Sequence, residues 1–129
     1  MNKDIKKNWV DALRSGEYKQ GTGELRKNED HFCCLGVLCD LAAKDGVGEW
    51  KARNPYLGYY FDDTGKSNTH LPASVSNWAG LFLKTGEPDE DPTILYINEE
   101  GEEWERTLSE INDDGFNFSA IADIIEEQL

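Results

Sequence analysis

The sequence predicts an α+β fold with a buried central helix, flanking helices and a small antiparallel sheet. Three observations predict it. Residues 31–44 are apolar nearly all round, as suits a helix enclosed by the rest of the chain. Trp50, Tyr56, Tyr59, Tyr60 and Phe61 are strand-type residues followed by the turn signal Asp62-Asp63-Thr64-Gly65. Both ends carry apolar residues at helical spacing.

The elements follow in order. Ile5, Trp9, Val10 and Leu13 make the first helix, stopped at Ser15-Gly16. Glu17–Gly23 reads as an ordered loop, Leu25 as part of a short strand, and Asn28-Glu29-Asp30 as a turn. The central helix is expected over His31–Lys44, with Asp30 as N-cap and Asp45-Gly46 as its end. Residues 47–71 read as strand and turn. Pro72 is expected at the first position of a short helix reaching about Trp78–Gly80. Residues 84–92 form an acidic loop, and Thr93–Ile97 a strand turned by Asn98–Gly101. Trp104, Leu108 and Ile111, four and three apart, predict one helix over Glu103–Asn112. Asn117 caps a last helix, with Phe116 and Ile121 placed as a hydrophobic staple.

The 129 residues suit one domain, expected to span 1–129. Hydrophobic content is only 38%, but 4 Trp, 5 Tyr and 5 Phe bring large buried areas, so a core can form. The longest apolar run, Phe32–Leu38, is too short to cross a bilayer. The polar start Met1-Asn2-Lys3-Asp4 is unlike a signal peptide. Cys33, Cys34 and Cys39 are odd in number and too close on one helix to bridge easily, which reads as free thiols. A cytoplasmic location is therefore expected. The oligomeric state is left open.

The net charge of −13 is unevenly spread. Residues 1–27 hold seven Lys/Arg against four Asp/Glu, residues 28–84 five against seven, and residues 85–129 one against fifteen. The last third would repel nucleic acid and membrane phosphates, so neither direct DNA binding nor a membrane partner is expected. The helix-turn-helix outline of Leu108–Ile125 fails as a DNA reader for the same reason.

Catalytic and metal constellations are weak. His31, Cys33, Cys34 and Cys39 lack the second ligand pair of a zinc site, and buried thiols explain them better. No Cys/His nucleophile signature appears. The carboxylate pairs Asp62-Asp63, Glu99-Glu100, Glu102-Glu103 and Asp113-Asp114 read as solvated turns. Asn112-Asp113-Asp114-Gly115 lacks calcium-loop spacing, and Gly21-Thr22-Gly23 lacks the rest of a dinucleotide fingerprint. No catalytic residue, metal or cofactor is assigned, and the chain reads as a binding protein rather than an enzyme.

Candidate ligand contacts come from the basic N-terminal region and the aromatics. Arg14, Lys19 and Arg26 would hold phosphate, Tyr18, Trp50 or Tyr60 would stack on a base, and Gln20 would read its edge. The competing reading is a solvated basic surface set against the acidic third. A further alternative places function on that third, as a protein-binding module or DNA mimic that occupies a basic host protein.

Residues 9–20, Trp-Val-Asp-Ala-Leu-Arg-Ser-Gly-Glu-Tyr-Lys-Gln, and 32–40, Phe-Cys-Cys-Leu-Gly-Val-Leu-Cys-Asp, resemble a group of small bacteriophage and prophage proteins. The tail, Ile111-Asn112-Asp113-Asp114-Gly115 through Ile121–Glu126, is similar too. The resemblance brings no functional residues. It implies a phage gene acting in the cytoplasm of an infected bacterium, and by analogy a counter-defence factor. The leading expectation is thus a non-catalytic host-defence antagonist that sequesters a small nucleotide-type signal. The alternatives are the acidic protein-binding module and a small nucleotide hydrolase.

Overall fold

In the computed structural model, helices surround a central helix and small sheets flank them, an α+β arrangement. It describes residues 1–53, 56–62, 65–81 and 91–129; for 52–53, 56–59, 61–62 and 65–66 it describes the backbone only. Residues 63–64 of the predicted turn and 84–90 of the predicted acidic loop lie outside the described residues, as do the side chains of Tyr56, Tyr59 and Phe61.

Helix α1, Lys3–Arg14, starts where the Asn2 side chain accepts from the amides of Asp4 and Ile5, and it buries Trp9, Val10 and Leu13. It packs against α5 and α2. The next segment departs from expectation. Lys19–Gln20 is a two-residue strand, β1, pairing in parallel with β2, His31–Phe32. Leu25 is not in a strand. It is a fully buried plug whose amide donates to Asn68 O (2.6 Å) and whose carbonyl accepts from Cys33 N–H (3.1 Å). Two-residue strands are too short to leave a period in the sequence.

The central helix, α2, runs Cys34–Lys44, three residues shorter than predicted at its start. His31 and Phe32 are drawn into the pairing with β1, so the cap falls to Cys33 and not to Asp30. The Cys33 sulfur accepts from Gly36 N–H. Asp45 ends the helix as expected. Cys34, Leu35, Val37, Leu38 and Cys39 are all inaccessible, so α2 is the axis of the core. Gly36 is required here: a Cβ would stand 1.7 Å from Leu25 O.

Strands β3 (Glu49–Arg53), β4 (Tyr56–Asp62) and β5 (Gly65–Ser67) form the antiparallel sheet, with Trp50 opposite Tyr60. Helix α3 covers Ala73–Ala79, with Pro72 as its N-cap rather than its first residue and Gly80 (φ 70°) closing it. The Asn2 amide donates to Ala79 O (2.8 Å), tying the chain start to this helix.

The prediction of one helix over Glu103–Asn112 is overturned. Glu103–Thr107 is a strand, β7, antiparallel to β6, Thr93–Ile97, and only Leu108–Asp113 is helical, as α4. Thr107 makes the break: its hydroxyl caps α4 by accepting from Glu110 N–H (3.2 Å). Helix α5, Phe118–Gln128, is capped by Asn117 as predicted and buries Phe118, Ile121, Ala122 and Ile125.

One buried polar side chain locks the ends together. Asn112 Oδ1 accepts from Cys34 N–H (3.1 Å) and from the Gln20 amide (3.0 Å), while its amide donates to Gly21 O (2.9 Å). Among the described residues no helix is long and apolar enough to cross a membrane.

Candidate functional site

The seven predicted contact residues divide into two sets. Three are held by separate internal partners. Arg14, at the end of α1, reaches Asp123 (2.6 Å) and Glu126 (2.7 Å) on α5, and its guanidinium is further stabilised in charged form by those bonds. Lys19 pairs with Asp30 (3.2 Å). The Gln20 amide donates to Asn112 and to Phe116 O (2.7 Å), so it serves the fold. Arg14 is thus set against the acidic third, whereas the partner of Lys19 lies outside it. Arg14 also lines a hollow of about 370 Å³ with Lys3, Lys6 and Lys7, where Asp11 and Glu126 offset part of the charge.

The other four come together through a residue the sequence did not flag. Phe32 lies edge-on to Tyr18 (5.0 Å) and Trp50 (6.0 Å), and Trp50 edge-on to Tyr60 (5.3 Å). The Arg26 guanidinium lies 4.7 Å from the Phe32 ring centroid and 5.4 Å from that of Trp50. It also donates to Asn28 O (3.1 Å) and Glu29 O (2.8 Å). Asp40 ties the cluster to α2 by accepting from the Tyr18 hydroxyl (2.6 Å) and Trp50 Nε1 (3.0 Å), with Lys44 at 3.3 Å. Burial, then donation to Asp40, raises the Tyr18 hydroxyl pKa, so the phenol is neutral at pH 7. Tyr60 is fully buried, so its ring belongs to the core and offers no open stacking face.

The thiols are equally enclosed. Burial pushes Cys33 up to about 12, and Cys34 well above its ordinary value. A thiol protonated at neutral pH is a poor nucleophile. Among the described residues no three His, Cys, Asp or Glu side chains gather as metal ligands.

Among the described residues, the most open large apolar side chains are elsewhere, on the β6–β7 hairpin. Leu95, Ile97 and Trp104 are 56%, 62% and 54% exposed, whereas the large apolar residues of the core are almost fully covered. Buried Ile94 and half-buried Tyr96 turn one hairpin face inward, which leaves Leu95 and Ile97 on the other. Register places Glu105 opposite Leu95 and Glu103 opposite Ile97, so both glutamates share that outward face. Glu99, Glu100 and Glu102 are exposed around the turn. Asn98 holds that turn by accepting from the amides of Glu100 (3.0 Å) and Glu102 (2.9 Å). The single arginine of this third, Arg106, is committed to Asp114 and Glu110.

A family model described as "Domain of unknown function (DUF8296)" matches residues 1–129. The chain belongs to the DUF8296 family. No curated protein and no solved structure matches it. For this DUF8296 chain the sequence reading found the glutamates of the hairpin but not its exposed aliphatics. The available signal is Thr93–Ile97, where apolar residues fall on both faces of the strand.

Proposed function

We propose that this DUF8296 protein is a non-catalytic, phage-encoded binding protein that acts in the bacterial cytoplasm by occupying a basic host protein. The observation that carries this reading is the hairpin. Leu95 and Ile97 are exposed on one hairpin face beside Glu103 and Glu105, while Trp104, opposite Tyr96, is exposed on the other, and exposed apolar residues with a polar rim are characteristic of a protein-binding surface. The carboxylates select a cationic partner and speed its approach. A host protein that binds nucleic acid has a surface of this kind. The non-catalytic part of the reading is supported by thiols held protonated and by the open exposure of Glu99, Glu100, Glu102 and Glu103. The phage origin is supported by the sequence resemblance alone.

The test is capture of a partner from bacterial lysate on the intact protein, with mass-spectrometric identification. A basic protein is expected, released at about 0.5 M salt, where the screening length falls to about 4 Å. It should also be lost when Glu99, Glu100, Glu102 and Glu103 are all changed to Gln. Retention in that salt, or by that variant, contradicts the reading.

The hollow beside Arg14 favours a second reading, a small phosphate-bearing ligand such as a nucleotide signal, because four cations line it. Recovery of an intact nucleotide from heat-treated protein, lost on Arg14→Ala, would support sequestration; recovery of a cleaved product would point to a hydrolase.

A further inference from the structure

We infer that a hollow at the meeting of α1, α2 and α3 binds an alkylguanidinium, the head and stem of an arginine side chain. The site lies on different elements from the hairpin and stands independently of the protein-binding reading. Ile5 and Asn8 line it from α1, Leu41 and Lys44 from α2 with the C-cap Asp45, and Trp78 from α3. Its volume is about 250 Å³, below the roughly 300–1,000 Å³ of sites for drug-sized molecules, so it takes a group the size of one side chain. Floor and rim differ. Ile5, Leu41 and Trp78 are half-buried against the core, whereas Asn8, Lys44 and Asp45 are exposed. An occupant is therefore apolar below and polar above, as long cationic side chains are.

The lining decides the sign of the polar end. Lys44 is answered within the fold: its ammonium lies 3.3 Å from Asp40 and donates to the Tyr18 hydroxyl (3.2 Å). Asp45 is not answered in this way. Its Oδ2 accepts from Trp78 Nε1 (2.8 Å), a neutral donor, and among the described residues no cation pairs with it. Helices α2 and α3 both end here, and C-terminal helix ends favour cations. A planar guanidinium suits the lining better than a compact ammonium. It stacks on an indole and donates to several acceptors at once, here the Asp45 carboxylate and the Asn8 carboxamide. Little ordering accompanies binding. The bond to Asp45 fixes the Trp78 indole, and the Asn2 amide on Ala79 O (2.8 Å) fixes α1 against α3.

Butylguanidinium titrated into the full chain tests this, followed by the Trp78 indole N–H signal in proton–nitrogen NMR spectra, which Trp78→Phe assigns. A Kd on the order of 1 mM is expected. Guanidinium without the stem should bind about tenfold more weakly, and butyrate should leave the signal in place. Asp45→Asn keeps an acceptor for Trp78 Nε1 but drops the charge, and should weaken binding about tenfold. Lys44→Met removes a neighbouring cation and should tighten binding about twofold. Two sources carry this chemistry, and a capped glycine-arginine-glycine peptide separates them. If the peptide binds as tightly as butylguanidinium, the occupant is an arginine of another protein; if it binds far more weakly, the occupant is a free small guanidine. A Trp78 signal that does not move, undiminished binding by the Asn variant, or tighter binding of butyrate than of butylguanidinium overturns the inference.

Discussion

Replacing Gly36 by alanine probes the packing on which the central helix depends. In an ordinary helix interior this change stabilises by about 1 kcal/mol, because alanine loses less backbone freedom. Here the new methyl would stand 1.7 Å from Leu25 O and 2.6 Å from Leu25 C, both backbone atoms. The two segments must separate by about 1.5 Å before that contact is tolerable. Leu25 cannot yield freely. Its hydrogen bonds to Asn68 and Cys33 are each worth about 1 kcal/mol, and overpacking a closed core costs about 1–3 kcal/mol more. After the propensity gain is subtracted, Gly36→Ala should destabilise by about 3 kcal/mol. For a chain of this size that is a fall of about 10–15 °C in midpoint, read by circular dichroism at 222 nm. A variant as stable as the parent, or more so, would refute the close approach of Leu25 to α2.

Asn112→Leu should cost about 3 kcal/mol in urea unfolding, since it strands Cys34 N–H and Gly21 O in a buried place and leaves the Gln20 amide only Phe116 O; a loss below about 1 kcal/mol would show that Asn112 is not the lock between the two ends. All three thiols should react far more slowly with iodoacetamide in native protein than in denaturant at pH 8, and one thiol reacting at the free-cysteine rate would contradict their burial. The same thiols set a pH dependence. Cys33 is pushed up to about 12 in the fold from an ordinary value of 9.0. Between those values the unfolded chain releases a proton that the folded chain keeps, so the thiol contribution makes stability fall as pH rises through 9. A Cys33→Ala variant should show a shallower fall than the parent across that range, and an unchanged slope would count against the raised value.

Much of the fold is legible in the sequence where one periodicity runs long enough. The spacings of Ile5 to Leu13 and Phe118 to Ile125 each fit one helix face, and residues 34–44 are apolar enough to be central. The failures have local causes. Trp104, Leu108 and Ile111 satisfy helical spacing, but they straddle the Thr107 cap and belong to two elements. His31 and Phe32 continue the apolar run of α2, yet pairing with β1 claims them. The candidate site shows the same division. Composition reveals the glutamates of the hairpin, whereas exposure of Leu95 and Ile97 depends on what the rest of the chain leaves uncovered. Tyr18, Arg26 and Trp50 are grouped around Phe32, with Asp40 joining Tyr18 to Trp50 from 22 residues beyond Tyr18, so their grouping is a tertiary fact. Arg14 and Lys19 were read as cations open to a ligand; their acidic partners come from α5 and from the residue before β2.

The central claim, that the hairpin is the binding surface, is tested most directly by amide hydrogen exchange on the protein alone and with its captured basic partner. Added protection is predicted within residues 93–107, strongest from Leu95 to Glu103. Protection confined to residues 18–32 and 49–53, with the hairpin unchanged, would contradict the account and move the site to the aromatic cluster around Phe32.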